Sequence, residues 1–323
     1  MKSVGIIGGS GITGGELIDL VLIHPHLHLK WIYSTTRANQ PIISAHPQLI
    51  GRTDLKFSGS LDKDIDIVFL CLGHGHSKKF LDQARFEDRI LIIDLSNEFR
   101  LTNSNRYNSR TFVYGLPELN APIIASSNSI ANPGCFATGI QLALLPLSSN
   151  NLLSNHVHIN AITGSTGAGI KPQSTSHFSW RNNNLSWYKP FVHQHLDEIK
   201  QHIKLTNKEL EFHLLPIRGN FTRGIFTTCY MTLDLSLEDV YHLYQQFYKD
   251  HPFTHISKSE LHLKQVINTG NCILHLHKHN RTILITCIID NLLKGASSQA
   301  IENLNIMLNI NRTTGLSLKP SVY

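Results

Sequence analysis

Val4-Gly5-Ile6-Ile7-Gly8-Gly9-Ser10-Gly11-Ile12-Thr13-Gly14-Gly15-Glu16-Leu17 decides the fold. Val4 to Ile7 reads as a short apolar strand, and Leu17, Ile18, Leu20, Val21 and Leu22 continue as a helix. The turn between them reads as Gly9-x-Gly11-x-x-Gly14 or as Gly8-x-x-Gly11-x-x-Gly14. A glycine-rich turn joining a first strand to a first helix is a dinucleotide fingerprint. Glycines allow positive φ and let a pyrophosphate approach the backbone at the helix N-terminus. Gly8, Ser10, Gly11, Ile12, Thr13 and Gly14 are therefore expected to hold the cofactor.

The second strand, Leu29 to Tyr33, ends at Ser34-Thr35-Thr36-Arg37. An acidic residue there would bind a ribose 2′-hydroxyl, whereas an arginine pairs with a 2′-phosphate. With no acid present, Ser34 and Arg37 point to NADP(H). Asp66 to Leu72 is a continuous apolar run of the kind buried in a parallel sheet, and Gly73-His74-Gly75-His76-Ser77 opens the next helix. Gly73 thus joins the expected cofactor contacts at the carboxyl edge of the sheet. Ile90 to Ser96 is a fourth buried strand whose exit carries Asn97, Glu98 and Arg100. Ser129 to Asn132 is a further short strand, and it leads through Pro133-Gly134 into Cys135. An apolar run from Ile140 to Leu147 follows as a helix, which puts Cys135 at a helix N-terminus. Such a position favours negative charge and lowers a thiol pKa.

Beyond Leu147 the pattern changes. Ser148 to Asn151 reads as a polar linker, His156 to Thr163 as a strand, and Gly164 to Gly169 as a small-residue loop. Gln173 to Pro190 reads as a long irregular loop. A helix begins within Phe191 to Ile199, with His195 and Glu198 three apart on one face, so the carboxylate orients the imidazole. Strands follow at Phe212 to Pro216, Ile225 to Leu235, Ile273 to His279 and Thr282 to Asp290. Ser236 caps a helix reaching about Asp250, and a last helix spans Ala300 to Leu308. Arg218 and Arg223, in a glycine-containing connection, are candidates for an anionic substrate. The fold class expected is α/β: a Rossmann-type parallel sheet domain plus an α+β second domain with a mixed or antiparallel sheet. The first would comprise 1–134 and 291–323, its C-terminal helix returning, and the second 135–290, for catalysis and dimerisation.

The bulk properties agree. The 323 residues, 41% hydrophobic and 16% charged, suit two globular domains. No apolar run approaches the roughly 18 residues of a membrane span, and the strand from Ser3 leaves no room for a leader, so a cytoplasmic protein is expected. Five widely spaced cysteines suit free thiols in a reducing compartment. The net charge of +6 is scattered, so nucleic acid is not an expected partner. Alternating His24, His26, His28 and His275, His277, His279, and a lone Cys272-x-x-His275, fall short of a zinc motif, and no metal is expected.

These stretches, taken together, resemble the N-acyl-γ-glutamyl-phosphate reductases. Gly8 to Leu17 resembles their opening motif, Asp94 to Leu101 the segment after their fourth strand, and Asn132 to Thr138 their nucleophile motif. Gly164 to Gly169, His193 to Ile199, Thr222 to Ile225 and Asn291 to Ala296 follow in the family's order. Two departures stand out: Leu196-Asp197-Glu198 where the family usually shows Thr-Pro-Glu, and Ile170 before Lys171 where it often has arginine. The resemblance implies NADPH-dependent reductive dephosphorylation of an acyl phosphate, N-acetyl-γ-glutamyl phosphate, through a Cys135 thioester, in arginine biosynthesis. It also implies His193 or His195 as acid/base held by Glu198, and Arg100, Asn132, Arg218 and Arg223 at the substrate. Gly167 and Asn291 would join the cofactor site, and the chain would be a homodimer or homotetramer. An N-succinyl substrate is the near alternative. Aspartate-semialdehyde dehydrogenase is the neighbouring enzyme class, and its cysteine motif differs.

Overall fold

β1 (Lys2–Ile7) buries Val4, Ile6 and Ile7 completely and runs straight into the glycine turn, where α1 (Ile12–Ile23) begins. This is a computed structural model, and it describes residues 1–203 and 210–321. β2 (Leu27–Tyr33), β3 (Phe57–Ser58), β4 (Ile67–Leu70), α2 (Ser77–Ala84) and β5 (Leu91–Asp94) continue the first unit. A small hairpin of β6 (Arg106–Tyr107) and β7 (Arg110–Thr111) precedes β8 (Val113–Tyr114), α3 (Pro117–Ala125) and β9 (Ser129–Ala131). The main sheet runs β3-β2-β1-β4-β5-β9-β8, and every pairing in it is parallel. All four residues of β4 are buried, as a strand covered on both faces must be. The strand order reverses direction between β1 and β4, the switch point outside which ligands of doubly wound sheets bind. The glycine turn leaves β1 at that point.

The second unit starts with α4 (Cys135–Ser149), buried from Phe136 through Ser148. It continues through β10 (His156–Thr163), α5 (Phe178–Arg181), β11 (Ser186–Trp187), α6 (His195–His202), β12 (Glu211–Arg218) and β13 (Ile225–Thr232). Then come α7 (Leu237–Tyr248), β14 (Thr254–Ser257), β15 (Cys272–His279) and β16 (Thr282–Ile289). The sheet order is β11-β12-β10-β13-β16-β15-β14. β10 pairs with β12, and β14 with β15, in parallel, while the other pairings are antiparallel, so the sheet is mixed as expected. Alternation sets the inward face: Val157, Ile159 and Ala161 of β10 are buried while His156 and His158 are exposed. α4 packs on that inward face against β13 and β16. Tyr244 and Tyr248 of α7 hold α4 by donating to the carbonyls of Ala143 and Leu142. After β16 the chain returns with α8 (Ser297–Met307), which packs on α1 and α3 of the first unit.

The two units are Met1–Pro133 with Ala296–Ser317, and Gly134–Gly295 with the residues from Leu318 onward. The return therefore begins at Ala296 and not at Asn291. Several local expectations need correction. α4 extends through Ser149, consuming half of the supposed polar linker. The stretch Gln173 to Pro190 is not irregular throughout: it holds α5, and β11 pairs Ser186 and Trp187 with Arg218 and Ile217. The helix expected to begin within Phe191 to Ile199 starts at His195, and Phe191, at φ 65°, lies outside it. Among the described residues no helix is long and apolar enough to cross a membrane.

Candidate active site

Cys135 is the first residue of α4, with Gly134 as N-cap at φ −72° and ψ 146°. Its thiol is in no disulfide and is half-buried. The unpaired N–H groups of a helix start and the aligned peptide dipoles favour a thiolate here. Glu198, buried in α6, reaches this point: its Oε2 accepts the Gly134 N–H at 2.9 Å. The carboxylate is thereby attached to the residue preceding the thiol. Phe136, the residue following it, meets the rings of both His193 and His195 edge-on.

His193 and His195 are both buried, with ring centroids 4.6 Å apart. Only His195 belongs to α6, and its Nε2 lies 3.9 Å from Glu198 Oε1. His193 precedes the helix and caps it: its Nδ1 accepts the His195 backbone N–H at 3.2 Å. That bond assigns the proton of the neutral ring to Nε2. Burial lowers His193 to about 4; Lys189 and Arg218 push in the same direction and Glu198 opposes them. The two histidines are thus unlike: one is locked neutral, the other sits beside a carboxylate.

Arg218 ends β12, buried, with its guanidinium 4.7 Å from the centre of the Tyr188 ring. Burial pushes the Tyr188 phenol up to about 12, Arg218 opposes the shift, and negative charge at Cys135 adds to it. Tyr188 also meets His193 edge-on at 5.8 Å. Cys135, Tyr188, His193 and Arg218 therefore share one electrostatic neighbourhood. Arg181 braces it, donating to the Arg218 carbonyl at 2.7 Å. Arg223 stands differently: its Nε is 2.8 Å from Asp290 Oδ2 and its Nη2 donates to Oδ1 at 3.2 Å. Asp290 is fully buried and also accepts the N–H groups of Asn268 and Leu292. Arg223 is thus a cation tethered to Asp290, whereas Arg218 acts electrostatically on Tyr188 and His193.

Asn291, expected at the cofactor, spends its amide within its own unit. Its Oδ1 accepts the Gly224 N–H at 2.6 Å and its Nδ2 donates to Thr166 Oγ1 at 3.1 Å. It fastens the loop Gly164 to Gly169 to the segment before β13, which the Ser165 and Thr166 N–H groups also grip. Gly167 lies exposed in that loop. Arg100 and Asn132, expected at the substrate, are buried braces of the first unit. Arg100 Nε donates to the Asn132 carbonyl and Nη2 to Leu95 O. Asn132 donates to Ala296 O and accepts from Asn303 Nδ2. Their observed work is to hold the chain leading to the nucleophile motif.

In the first unit the fingerprint glycines have separate duties. Gly8 has φ +75°, and a Cβ on it would lie 2.6 Å from the Cys71 carbonyl oxygen. A Cβ on Gly14 would lie 2.7 Å from the Gly9 Cα, so Gly14 permits the helix to pack on the turn. Gly11, the N-cap of α1, faces open space apart from the Gly8 oxygen at 3.8 Å. That leaves an uncapped helix start of the kind that takes a pyrophosphate, with Ser10, Ile12 and Thr13 around it. Ser34 is buried after β2, and Arg37 is half-exposed with one long 3.4 Å bond to Gln40. Gly73 is exposed, and its nearest side-chain atom would be 3.5 Å from an added Cβ. The residues present fit a nicotinamide dinucleotide.

Some functional-looking residues have no signal in the motifs. His46 Nε2 bonds the Gly9 carbonyl at 2.6 Å beneath the glycine turn. Buried Asp94 gathers Ser77 and Ser96 at the end of β5. Gly295 gives room to the thiol: a Cβ there would lie 2.7 Å from Cys135 Cβ. Tyr188 sits between Trp187 and Lys189 in the stretch before α6, and no motif marks it.

Comparison with known proteins covers both units. Residues 3–127 match the family model described as semialdehyde dehydrogenase, NAD binding domain, and residues 135–291 the one described as semialdehyde dehydrogenase, dimerisation domain. The chain is 51% identical to the N-acetyl-gamma-glutamyl-phosphate reductase of Flavobacterium johnsoniae, covering 100% of both chains. It is 52% identical to that of Azobacteroides pseudotrichonymphae, again over 100% of both. Among solved structures it resembles aspartate semialdehyde dehydrogenase II of Vibrio cholerae, with TM-score 0.71, 14% identity and coverage of 96% and 98%. The Francisella tularensis aspartate semialdehyde dehydrogenase gives TM-score 0.70 at 16% identity, with coverage of 95% and 100%. At those identities the structural likeness concerns the fold.

Proposed function

The chain belongs to the N-acetyl-gamma-glutamyl-phosphate reductases, and from that membership we infer its reaction. It converts N-acetyl-γ-glutamyl phosphate to N-acetylglutamate 5-semialdehyde and phosphate, a step of arginine biosynthesis. The observation that carries this reading is Cys135 at the start of buried α4, with Glu198 bonded to the preceding residue.

Cys135 attacks the acyl carbon as a thiolate. A C–S bond forms, the C–O bond to phosphate breaks, and phosphate leaves with the electron pair. N–H groups at the start of α4 are the natural donors to the developing oxyanion. A nicotinamide dinucleotide held at the glycine turn by Gly8 to Gly14 would supply the hydride that reduces the thioester carbonyl. The hemithioacetal then expels the Cys135 thiolate and leaves the aldehyde. We assign the proton traffic to His195, whose ring lies beside the Glu198 carboxylate: it moves the thiol proton to the departing phosphate. His193, neutral with its proton on Nε2, is assigned as a hydrogen-bond donor to the substrate oxygen. Arg218 is the favoured anchor for the substrate's anionic groups; its buried Nε has no hydrogen-bond partner among the described residues.

Arg37 and the absence of an acid after β2 favour NADP(H) over NAD(H). Free thiols suit a reducing cytoplasm, and the description of the second family model supports a homodimer as the minimal assembly, with a homotetramer as its doubling. The test is phosphate-dependent reduction of NADP by N-acetylglutamate 5-semialdehyde. The expected outcome is turnover that Cys135→Ser abolishes while NADPH binding persists. Turnover of aspartate semialdehyde or the N-succinyl substrate in its place would overturn the substrate assignment. A near-normal rate in Cys135→Ser would overturn the covalent route.

A further inference from the structure

β10 and β12 run in parallel with their first residues paired, His156 opposite Glu211. Residues two apart on a strand share a face, so His213 lies beside Glu211. The result is a cluster that the reductase chemistry does not use. His156 Nδ1 is 3.1 Å from His213 Nε2, and each of these nitrogens is 3.6 Å from Glu211 Oε2. A circle through three points so spaced has a radius of about 2.0 Å, and zinc binds imidazole nitrogen and carboxylate oxygen at about 2.0–2.2 Å. One ion can therefore touch all three atoms with the side chains where they stand.

The rings are held in place. The His213 ring lies near-parallel to His156 at 5.4 Å and to His158 at 4.9 Å, with Phe191 edge-on at 6.4 Å. Tyr230 stacks in turn on His158 at 5.0 Å. A donor set ordered before the ion arrives loses little freedom on binding it. His156 and Glu211 are exposed, which leaves a fourth coordination position open to water. Two imidazoles and one carboxylate suit a borderline cation rather than Ca²⁺ or Mg²⁺, which prefer oxygen ligands. His213 is five residues from Arg218, roughly 16 Å along β12, so the cluster is separate from the thiol site.

We propose that His156, Glu211 and His213 bind one Zn²⁺ per chain and clasp the first residues of β10 and β12 together. The sequence hides this site because its ligands are far apart in the chain and meet only through the parallel register of the two strands.

The test is calorimetric titration of chelator-treated full-length protein with Zn²⁺, with bound metal counted by elemental analysis. Because thiolates also bind zinc, the titration is run in parallel on Cys135→Ser. The expected result is one Zn²⁺ per chain in both proteins and a Zn²⁺-dependent rise in melting temperature. His156→Ala, Glu211→Gln and His213→Ala should each weaken binding at least about tenfold and remove that rise. These side chains lie at the surface or are half-buried, so circular dichroism should show folded variants. Co²⁺ in place of Zn²⁺ should give the visible absorption of a tetrahedral centre, absent from His213→Ala. Binding lost in Cys135→Ser, binding unchanged in His156→Ala and His213→Ala, or no binding below millimolar Zn²⁺ would each overturn the proposal. In those cases the cluster is a hydrogen-bonded histidine pair beside a carboxylate.

Discussion

Glu198 Oε2 accepts the Gly134 N–H at 2.9 Å, so the carboxylate three residues after His195 is fastened to the residue before the nucleophile. One side chain sets both the start of α4 and the setting of the His195 ring. Glu198→Ala leaves a buried donor without its acceptor, which costs about 1–3 kcal/mol. Glu198→Gln keeps an amide oxygen for Gly134 but removes the charge beside His195. Both should lower kcat by at least about tenfold, and only Glu198→Ala should also lower the urea midpoint. Equal stability loss in both variants would mean that the charge, and not the acceptor, holds the helix start.

Histidines shielded from water make folding pH-dependent in a defined direction. Burial lowers His202 to about 4, with Glu198 opposing, and His193 behaves likewise. The unfolded rings take up a proton near pH 6.5 while the folded ones refuse it until about pH 4. The unfolded chain therefore binds more protons in that window, and stability falls as pH drops from about 6.5 to about 4. His24 and His46, lowered by burial, add the same sign. Denaturant midpoints measured at pH 7 and pH 5 should differ, and His202→Gln should shrink the difference. An identical difference in the variant would remove His202 from the account.

The glycines of the first unit separate by geometry. Gly8→Ala must hold φ +75° with its Cβ 2.6 Å from a backbone oxygen, so it should destabilise by about 1–3 kcal/mol and weaken cofactor binding. Gly73→Ala meets only ordinary contacts, its nearest atom at 3.5 Å, and should change the melting temperature little. Thermal melts with and without NADPH check both. Similar losses in the two variants would show that the turn tolerates a side chain equally at either place.

Much of this was legible because its causes are local. The apolar run of β4, the glycine turn, the Ser236 cap on Asp239 and the cysteine at the start of α4 all act within a few residues, where periodicity and turn chemistry show. What stayed hidden depends on hydrogen bonds between residues that the chain brings together only on folding. Asn291 looks like a ligand-binding amide in its motif, yet its hydrogen bonds go to Gly224 and Thr166, from separate loops. Arg100 looks like a free cation, and only the fold turns it onto two carbonyls.

Among the described residues Arg37 makes one side-chain hydrogen bond, a long one to Gln40 at 3.4 Å, so its guanidinium can turn toward a ligand without breaking a strong bond. A charge-assisted bond to a 2′-phosphate contributes about 1.5–3 kcal/mol, or roughly tenfold to a hundredfold in affinity. Arg37→Gln should lower kcat/KM for NADPH by about that factor and leave the value for NADH within about twofold. A parallel fall with both cofactors would show that Arg37 supports the turn and does not read the phosphate.

Gly295 tests whether the thiol's position, as distinct from its presence, controls the reaction. It sits where an added Cβ would lie 2.6 Å from the Asn291 carbonyl oxygen and 2.7 Å from Cys135 Cβ. Neither neighbour is the far end of a flexible chain. The methyl of Gly295→Ala must displace the Cys135 backbone, the loop after Asp290, or both. Misplacing a nucleophile by about 1 Å can cost about a hundredfold in rate. Gly295→Ala should therefore lower kcat by about that factor while iodoacetamide still alkylates Cys135, because a small probe needs no fixed angle of attack. Asn291→Ala, which unfastens the same loop without crowding the thiol, should lower kcat less. If Gly295→Ala kept the parent rate, the thiol would be able to shift and recover, and the close approach of Gly295 would be a packing detail with no bearing on catalysis.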